Sequence, residues 1–286
     1  MLVAGGARAD LILLASDDKG AVAAAAAALH SAYPGKIEVH NLAGGRTREA
    51  GIVKAIKASP LTQVVAVGLL AAQVSRQRLD GKQVVFCQVL NIEEFNLVAP
   101  WIKGVSAIPS LARQFSAWKA LDPGLKKIGL ITGHKASYMV AEAEAAARAL
   151  GLGIDHVAVS SDRAVVPALQ ELRERGIDGL WLAPDSSILS QRAILDLMAY
   201  TVRHNMQVLA FSPALLKEGA LLSASADTGE IAAATIERLR KAGPLPGLAG
   251  ESLTPLTGAR LAVGAGAAAR FGLAIPPKLK EQIDVQ

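Results

Sequence analysis

The chain has 286 residues, enough for about two compact units at ~150 residues per domain. Charged residues make up 19% and hydrophobic residues 51%, which excludes a disordered chain and a coiled coil. The net charge of +5 is scattered and aromatics are only 4%, so the basic stripe and stacking rings of a nucleic-acid groove are missing and no nucleic-acid partner is expected.

The first nine residues end in Ala7-Arg8-Ala9, an A-x-A-like triplet just before Asp10. They read as the remnant (1–9) of a secretory signal peptide with cleavage after Ala9, although a frayed cytoplasmic N-terminus would carry the same letters. The Ala-rich run 21–29 is far short of the ~18 to 20 apolar residues a bilayer span needs.

Short apolar or β-branched runs then recur at 10–15, 36–41, 63–68, 83–87 and 104–107, and again at 127–132, 154–160, 178–183, 207–211 and 220–224. Each is read as followed by a helical pattern of about 12 to 18 residues, which is the signature of βαβ units and parallel sheets. Ser16-Asp17-Asp18 is expected to cap the helix running through Leu29, and Ser161-Asp162 one ending at Gly176. Pro109-Ser110 opens a helix to Leu121, and Asp122-Pro123-Gly124 turns the chain into the second set of strands. The fold class is therefore α/β: two doubly wound parallel-sheet lobes, with the gap between them as the default ligand site.

Few catalytic signals accompany this pattern. Cys87 is the one cysteine, which excludes an intrachain disulfide and a CxxC site, and in the run 84–87 it reads as a buried thiol. His30, His40, His134, His156 and His204 lack HxxxH or HExxH spacing, so no metal site and no cofactor is expected. Gly264-Ala265-Gly266-Ala267-Ala268-Ala269 fits G-x-G-x-x-A, but the chain ends before a second strand can follow, and a turn into a small-residue helix is the better reading. Neither a GxxxxGK[ST] loop nor a GxSxG elbow occurs. Serines near loop ends could meet His134 in space, yet nothing in the sequence orders them into a triad.

Several segments together carry a family resemblance: Val67-Gly68-Leu69-Leu70-Ala71-Ala72-Gln73, Gly104-Val105-Ser106, Lys127-Ile128-Gly129-Leu130, Pro184-Asp185-Ser186-Ser187 and Phe271-Gly272-Leu273-Ala274-Ile275-Pro276-Pro277. In order and spacing the chain resembles the ABC-transporter substrate-binding protein family that includes the tryptophan- and tyrosine-binding lipoproteins. The resemblance implies a type I periplasmic binding protein-like fold with a hinge of three crossovers. Lobe 1 would be 10–108 plus 227–243, and lobe 2 would be 109–226 plus 244–286, with crossings near 107–109, 225–227 and 245–254. It also implies a periplasmic solute receptor without catalytic residues, a small-molecule ligand such as an amino acid, an ABC permease in the inner membrane as partner, and a monomer. An α/β enzyme using the same gap, or a sensory module reporting to a membrane partner, would share these lobes. The loops Asn91-Ile92-Glu93-Glu94-Phe95 and Gly133-His134-Lys135-Ala136-Ser137 depart from the family pattern, so the ligand need not be an aromatic amino acid.

In such lobes the loops at the carboxyl ends of the strands meet helix N-termini, whose free amides attract carboxylates and hydroxyls. This places Ser16, Asp17, Gly68, Leu69 and Asn91 on the first rim. His134, Ser137, Tyr138, Asp185, Ser186, Ser187 and Ser212 fall on the second, with Asp227 at a crossing. Ser137, Ser186 and Ser187 suit a ligand carboxylate, and Asp185 or Asp227 a ligand ammonium. Each also suits helix capping.

Overall fold

Five consecutive buried residues, LILLA, make β1 (Leu11–Ala15) a strand covered on both faces, as parallel sheets require. In the computed structural model, which describes residues 10–241 and 251–286, β1 is followed by α1 (Gly20–Ala32), β2 (Ile37–Asn41), α2 (Glu49–Ala58), β3 (Gln63–Val67), α3 (Leu69–Arg78), β4 (Gln83–Cys87) and β5 (Ile102–Val105). A second series runs α4 (Leu111–Leu121), β6 (Lys127–Gly133), α5 (Ser137–Ala149), β7 (Gly153–Val159), α6 (Val165–Glu174), β8 (Gly179–Leu182), α7 (Gln191–Arg203), β9 (Gln207–Ala210) and β10 (Leu222–Ser225). Then come α8 (Thr228–Arg240), β11 (Leu253–Thr254), β12 (Arg260–Val263), α9 (Ala265–Arg270), α10 (Pro277–Lys280) and β13 (Asp284–Val285).

The strands form two sheets, ordered β11-β5-β4-β3-β1-β2 and β13-β12-β10-β9-β8-β6-β7. Every pairing in the first is parallel. The second departs from the expected parallel sheet at one place: β12 runs antiparallel to β10, pairing Leu222 with Val263. Two units result, one of described residues up to 107 plus those of 227–256, the other of 108–226 plus 257–286.

One expected boundary is corrected by this division. Residues from 244 onward were assigned to the second lobe, but β11 belongs to the first sheet, with Leu253 beside Gly104. Arg238 of α8 holds it there, donating to Thr254 Oγ1 at 2.6 Å and to the Glu251 carbonyl. The backbone adds Gly104 N–H to Ser252 O at 3.0 Å and Ser106 N–H to Thr254 O at 2.9 Å. Much of the expected 245–254 crossing, and the 1–9 signal remnant, lie outside the described residues.

Helix punctuation is mixed. Ser110 caps α4 by accepting from Arg113 N–H, and Gly176, at φ +77°, ends the turn after α6. Ser16 and Ser161, however, do not cap the helices that follow them: Lys19 precedes α1 without a side-chain cap, and a 3₁₀ turn at Asp162–Ala164 separates Ser161 from α6. The G-x-G-x-x-A stretch becomes the six-residue α9. Its first amide, Ala265 N–H, is taken by Gln286 O at 2.7 Å, and a Cβ on Gly264 would lie 2.7 Å from Ala220 O. The glycine serves close backbone packing. Among the described residues, no helix is long and apolar enough to cross a membrane.

Both cores close around bulky rings that need glycine opposite them. In the first sheet Phe86 lies against Gly104, and in the second unit Trp118 lies against Gly179 while its Nε1 donates to Gln207 Oε1 at 2.7 Å. A Cβ would sit 2.3 Å from the Phe86 ring at Gly104 and 2.4 Å from Trp118 at Gly179. Rings cannot yield cheaply in a close-packed interior. Gly104→Ala and Gly179→Ala are each expected to lower unfolding free energy by about 2 kcal/mol in urea titrations. Gly45→Ala, at a site with nothing within 4 Å of the added carbon, is the control and should change stability little.

Candidate functional site

A parallel sheet that adds strands first to one side and then to the other has a switch point, where neighbouring loops diverge and leave a crevice at the carboxyl ends. In the first sheet that point lies between β1 and β3. Ser16 follows β1 and is 7% exposed; its N–H donates to Val67 O at 2.9 Å, and its Oγ accepts from Ala71 N–H at 2.9 Å. The serine therefore caps α3, across the switch point, and not α1. Gly68, at φ +89°, precedes α3, and a Cβ there would sit 2.6 Å from Ser16 Oγ. Its N–H donates to Cys87 O at 2.9 Å, joining the end of β4 to the same cluster.

This geometry uses the amides of Gly68 and Ala71. The first turn of a helix has N–H groups with no intrahelical acceptor, and in α3 these include Leu69 and Leu70. With the helix dipole they offer a neutral, donor-rich edge suited to a carboxylate or hydroxyl. Of the other first-rim residues, Asp17 turns its Oδ1 to Lys19 N–H at 2.8 Å. Asn91 sits at φ +55° with its Nδ2 3.5 Å from Glu94 Oε2.

The second sheet repeats the switch between β6 and β8. Gly133 N–H donates to Asp185 Oδ2 at 2.7 Å. Asp185 Oδ1 accepts from Ser187 N–H at 3.0 Å and from Ser187 Oγ at 2.6 Å. The carboxyl is 1% exposed, so these donors replace the water it would otherwise need. Asp185 thus ties the ends of β6 and β8, a role that its sequence position alone did not distinguish from ligand pairing. Ser186, between Asp185 and Ser187, is exposed, as is Ser137, the first residue of α5.

The remaining residues are spread over other tasks. Tyr138 OH donates to Glu142 Oε1 at 3.0 Å along its own helix. Ser212 Oγ accepts from Ala214 N–H at 3.3 Å, and Asp227 Oδ1 caps α8 through Glu230 N–H at 2.9 Å. His134 Nε2 meets Ser160 Oγ at 3.2 Å on the surface. No carboxylate orients that imidazole among the described residues, as a nucleophilic triad needs. Cys87 is fully buried and burial pushes its thiol up to about 12, far from the thiolate a nucleophile uses. Among the described residues no group of three or more His, Cys, Asp or Glu is placed to hold a metal ion. The sequence reading passed over Gln88, which stands at φ +55° directly after β4. Its only signal was being the first polar residue after the apolar run of β4.

Two outcomes test this description. Asp185→Ala strands the buried Gly133 amide and unties the exposed Ser187, and urea denaturation should show a loss of about 2 kcal/mol. His156, half-buried on β7 and 2.8 Å from Thr132 Oγ1, has its pKa lowered, chiefly by desolvation and against the opposing pull of Glu144. The unfolded chain then binds the proton more readily. The neutral imidazole's contribution is complete above an unfolded pKa near ~6.5 and is lost as pH falls through the lower folded value. His156→Gln should flatten that acid-side slope in denaturation midpoints measured from pH 7 to 5.

A family model described as ABC transporter substrate binding protein matches residues 29–250. No curated protein sequence matches the chain significantly. Among solved structures, the chain is similar to an ABC domain in complex with L-Trp from Streptococcus pneumoniae, with 19% identity, a TM-score of 0.64, and coverage of 96% of this chain and 100% of that one. It is also similar to the ligand-free, open substrate-binding protein with adhesive properties from Clostridium difficile, at 14% identity and TM-score 0.71, covering 98% and 99%. A periplasmic ribose ABC transporter protein from Conexibacter woesei aligns at 10% identity and TM-score 0.54, covering 94% and 98%. At these identities the likeness establishes the fold, that of the type I periplasmic binding proteins, while the family match spans most of the sequence. Members of that family bind small ligands and deliver them to ABC permeases outside the cytoplasm, and the chain belongs to the ABC transporter substrate-binding protein family.

Proposed function

We propose that this protein is the periplasmic receptor of an ABC importer, a monomer that takes an amino acid or similar small organic solute between its two units and hands it to an inner-membrane permease. The observation that carries this reading is the repetition at the two switch points. Each sheet has a tied, small-residue rim at its carboxyl end, Ser16 with Gly68 in one and Gly133 with Asp185 and Ser187 in the other. Ligand energy would go into shifting an open–closed equilibrium, for which recognition suffices and no bond need be made.

On this reading the amides of Leu69 and Leu70 receive a ligand carboxylate or hydroxyl from one side, and Ser137 and Ser186 add hydrogen bonds from the other. Support for an amino-acid-like solute comes from the L-Trp bound to the pneumococcal protein, while the departures at Asn91 to Phe95 argue for a different side chain.

The direct test is a thermal-shift screen against amino acids, purines and small organic acids. A ligand at 100 times its dissociation constant adds about 2.7 kcal/mol, a rise of several degrees for a protein of this size. Ser137→Ala and Ser186→Ala, both exposed, should leave the ligand-free melting temperature nearly unchanged while weakening the response roughly three- to tenfold in Kd. A screen in which no compound raises the melting temperature would count against a receptor. Full response in both serine variants would remove these residues from the site.

A further inference from the structure

We infer that Gln88 is a specificity-determining residue of this receptor, reading a neutral hydrogen-bonding group on the ligand that presents a donor and an acceptor side by side. The inference rests on the receptor reading above and deepens it. It begins from where the backbone is strained. Among the described residues, five that are not glycine have positive φ: Ala43, Gln88, Asn91, Asn96 and Asn205. Asparagine enters this region readily, and Asn205 lies in the turn that ends α7, a common place for it. Ala43 is steadied by its N–H bond to Asn41 Oδ1 at 2.7 Å.

Gln88 has neither excuse. It sits at φ +55° between two buried residues, Cys87 and Val89. The Cys87 carbonyl is taken by Gly68 N–H, and Val89 must enter the core, so the chain has to turn sharply at one residue. Glycine would do this without strain. The chain instead places a half-buried glutamine there, at the carboxyl end of β4 and next to Cys87, whose carbonyl joins the switch-point cluster of Gly68 and Ser16. The Gln88 carboxamide makes no hydrogen bond to any described residue. Strain kept where a glycine would relieve it, in a side chain that no hydrogen bond ties to the fold, points to function.

The chemistry of the reader limits the ligand. A carboxamide has NH₂ donors beside a carbonyl acceptor, so its complement is a primary amide or a heterocyclic base edge. Glu93 and Glu94, exposed a few residues along the same loop, disfavour an anionic group opposite Gln88 itself, as distinct from a carboxylate held by the α3 amides. L-glutamine carries the first kind of edge and adenine the second.

The experiment compares the full chain with Gln88→Gly and Gln88→Asn by thermal shift, using L-glutamine, adenine, L-leucine and L-glutamate as probes. The parent should respond to L-glutamine or to adenine more than to L-leucine or L-glutamate, and whichever responds names the amide or the base edge. Gln88→Gly should melt, without ligand, at or above the parent's temperature, because relief of strain outweighs the added freedom of the unfolded chain. It should bind the responding probe about tenfold more weakly, the loss of one good hydrogen bond. Gln88→Asn, which tolerates the same backbone but is one methylene shorter, should fall between. A glycine variant that melts below the parent would make Gln88 structural, and one that binds as tightly as the parent would remove it from the site. A parent best served by L-leucine or L-glutamate, or one that answers only to other compounds of the wider screen, would overturn the Gln88 assignment and leave the receptor intact. A parent that responds to nothing in either screen would overturn both.

Discussion

The carboxyl ends of β1 and β3 must diverge at the first sheet's switch point while their backbone groups stay satisfied, and the hydroxyl of Ser16 reconciles the two demands. By accepting from Ala71 N–H it substitutes for the missing turn at the start of α3, and it can reach only because Gly68 has no Cβ. The second sheet meets the same demand with a carboxylate: Asp185 takes the Gly133 amide from β6 and the Ser187 amide and hydroxyl from its own loop. Different side chains thus solve one topological problem twice. In both, the absent side chain on a glycine matters as much as the polar group facing it.

A division of labour follows. Groups that hold the rim are buried and fully engaged, as Asp185 is at 1% exposure. A buried carboxylate with strong donors already on both oxygens gains little from a ligand ammonium, since the desolvation it suffers is already offset. On the proposed reading, recognition falls instead to the first amides of α3, to exposed serines at the start of α5 and after β8, and to the amide of Gln88. Sequence position alone does not separate a carboxylate that ties a rim from one that meets a ligand; the bonds on both Asp185 oxygens make that distinction visible.

This explains which parts of the molecule were legible in the sequence. Strands such as Ile128 to Ile131 declare themselves because burial on both faces leaves an unbroken apolar run, and the regular βαβ alternation follows from it. Gly176 and Ser110 were readable because their partners are three or four residues away. Ser16 was misread as the cap of α1 because its true partner, Ala71, is 55 residues on, and local rules rank the nearer helix first. The two-residue β11 fell to the wrong unit for a similar reason. Nothing in Leu253-Thr254 marks it as an edge strand of the first sheet until Arg238 and Gly104 are brought beside it.

Gln88 shows the same limit from the opposite side. Left-handed backbone is foreseeable at glycine and asparagine, whose chemistry favours it, and is invisible at glutamine, whose chemistry does not. Only the conflict between Cys87, whose carbonyl is committed to Gly68, and Val89, which belongs to the core, forces the turn. Neither constraint requires a side chain at the residue between them. Glycine would make this turn without strain, so a long polar side chain in its place is an addition to what the fold requires, and it is at such additions that one shared fold comes to distinguish one solute from another.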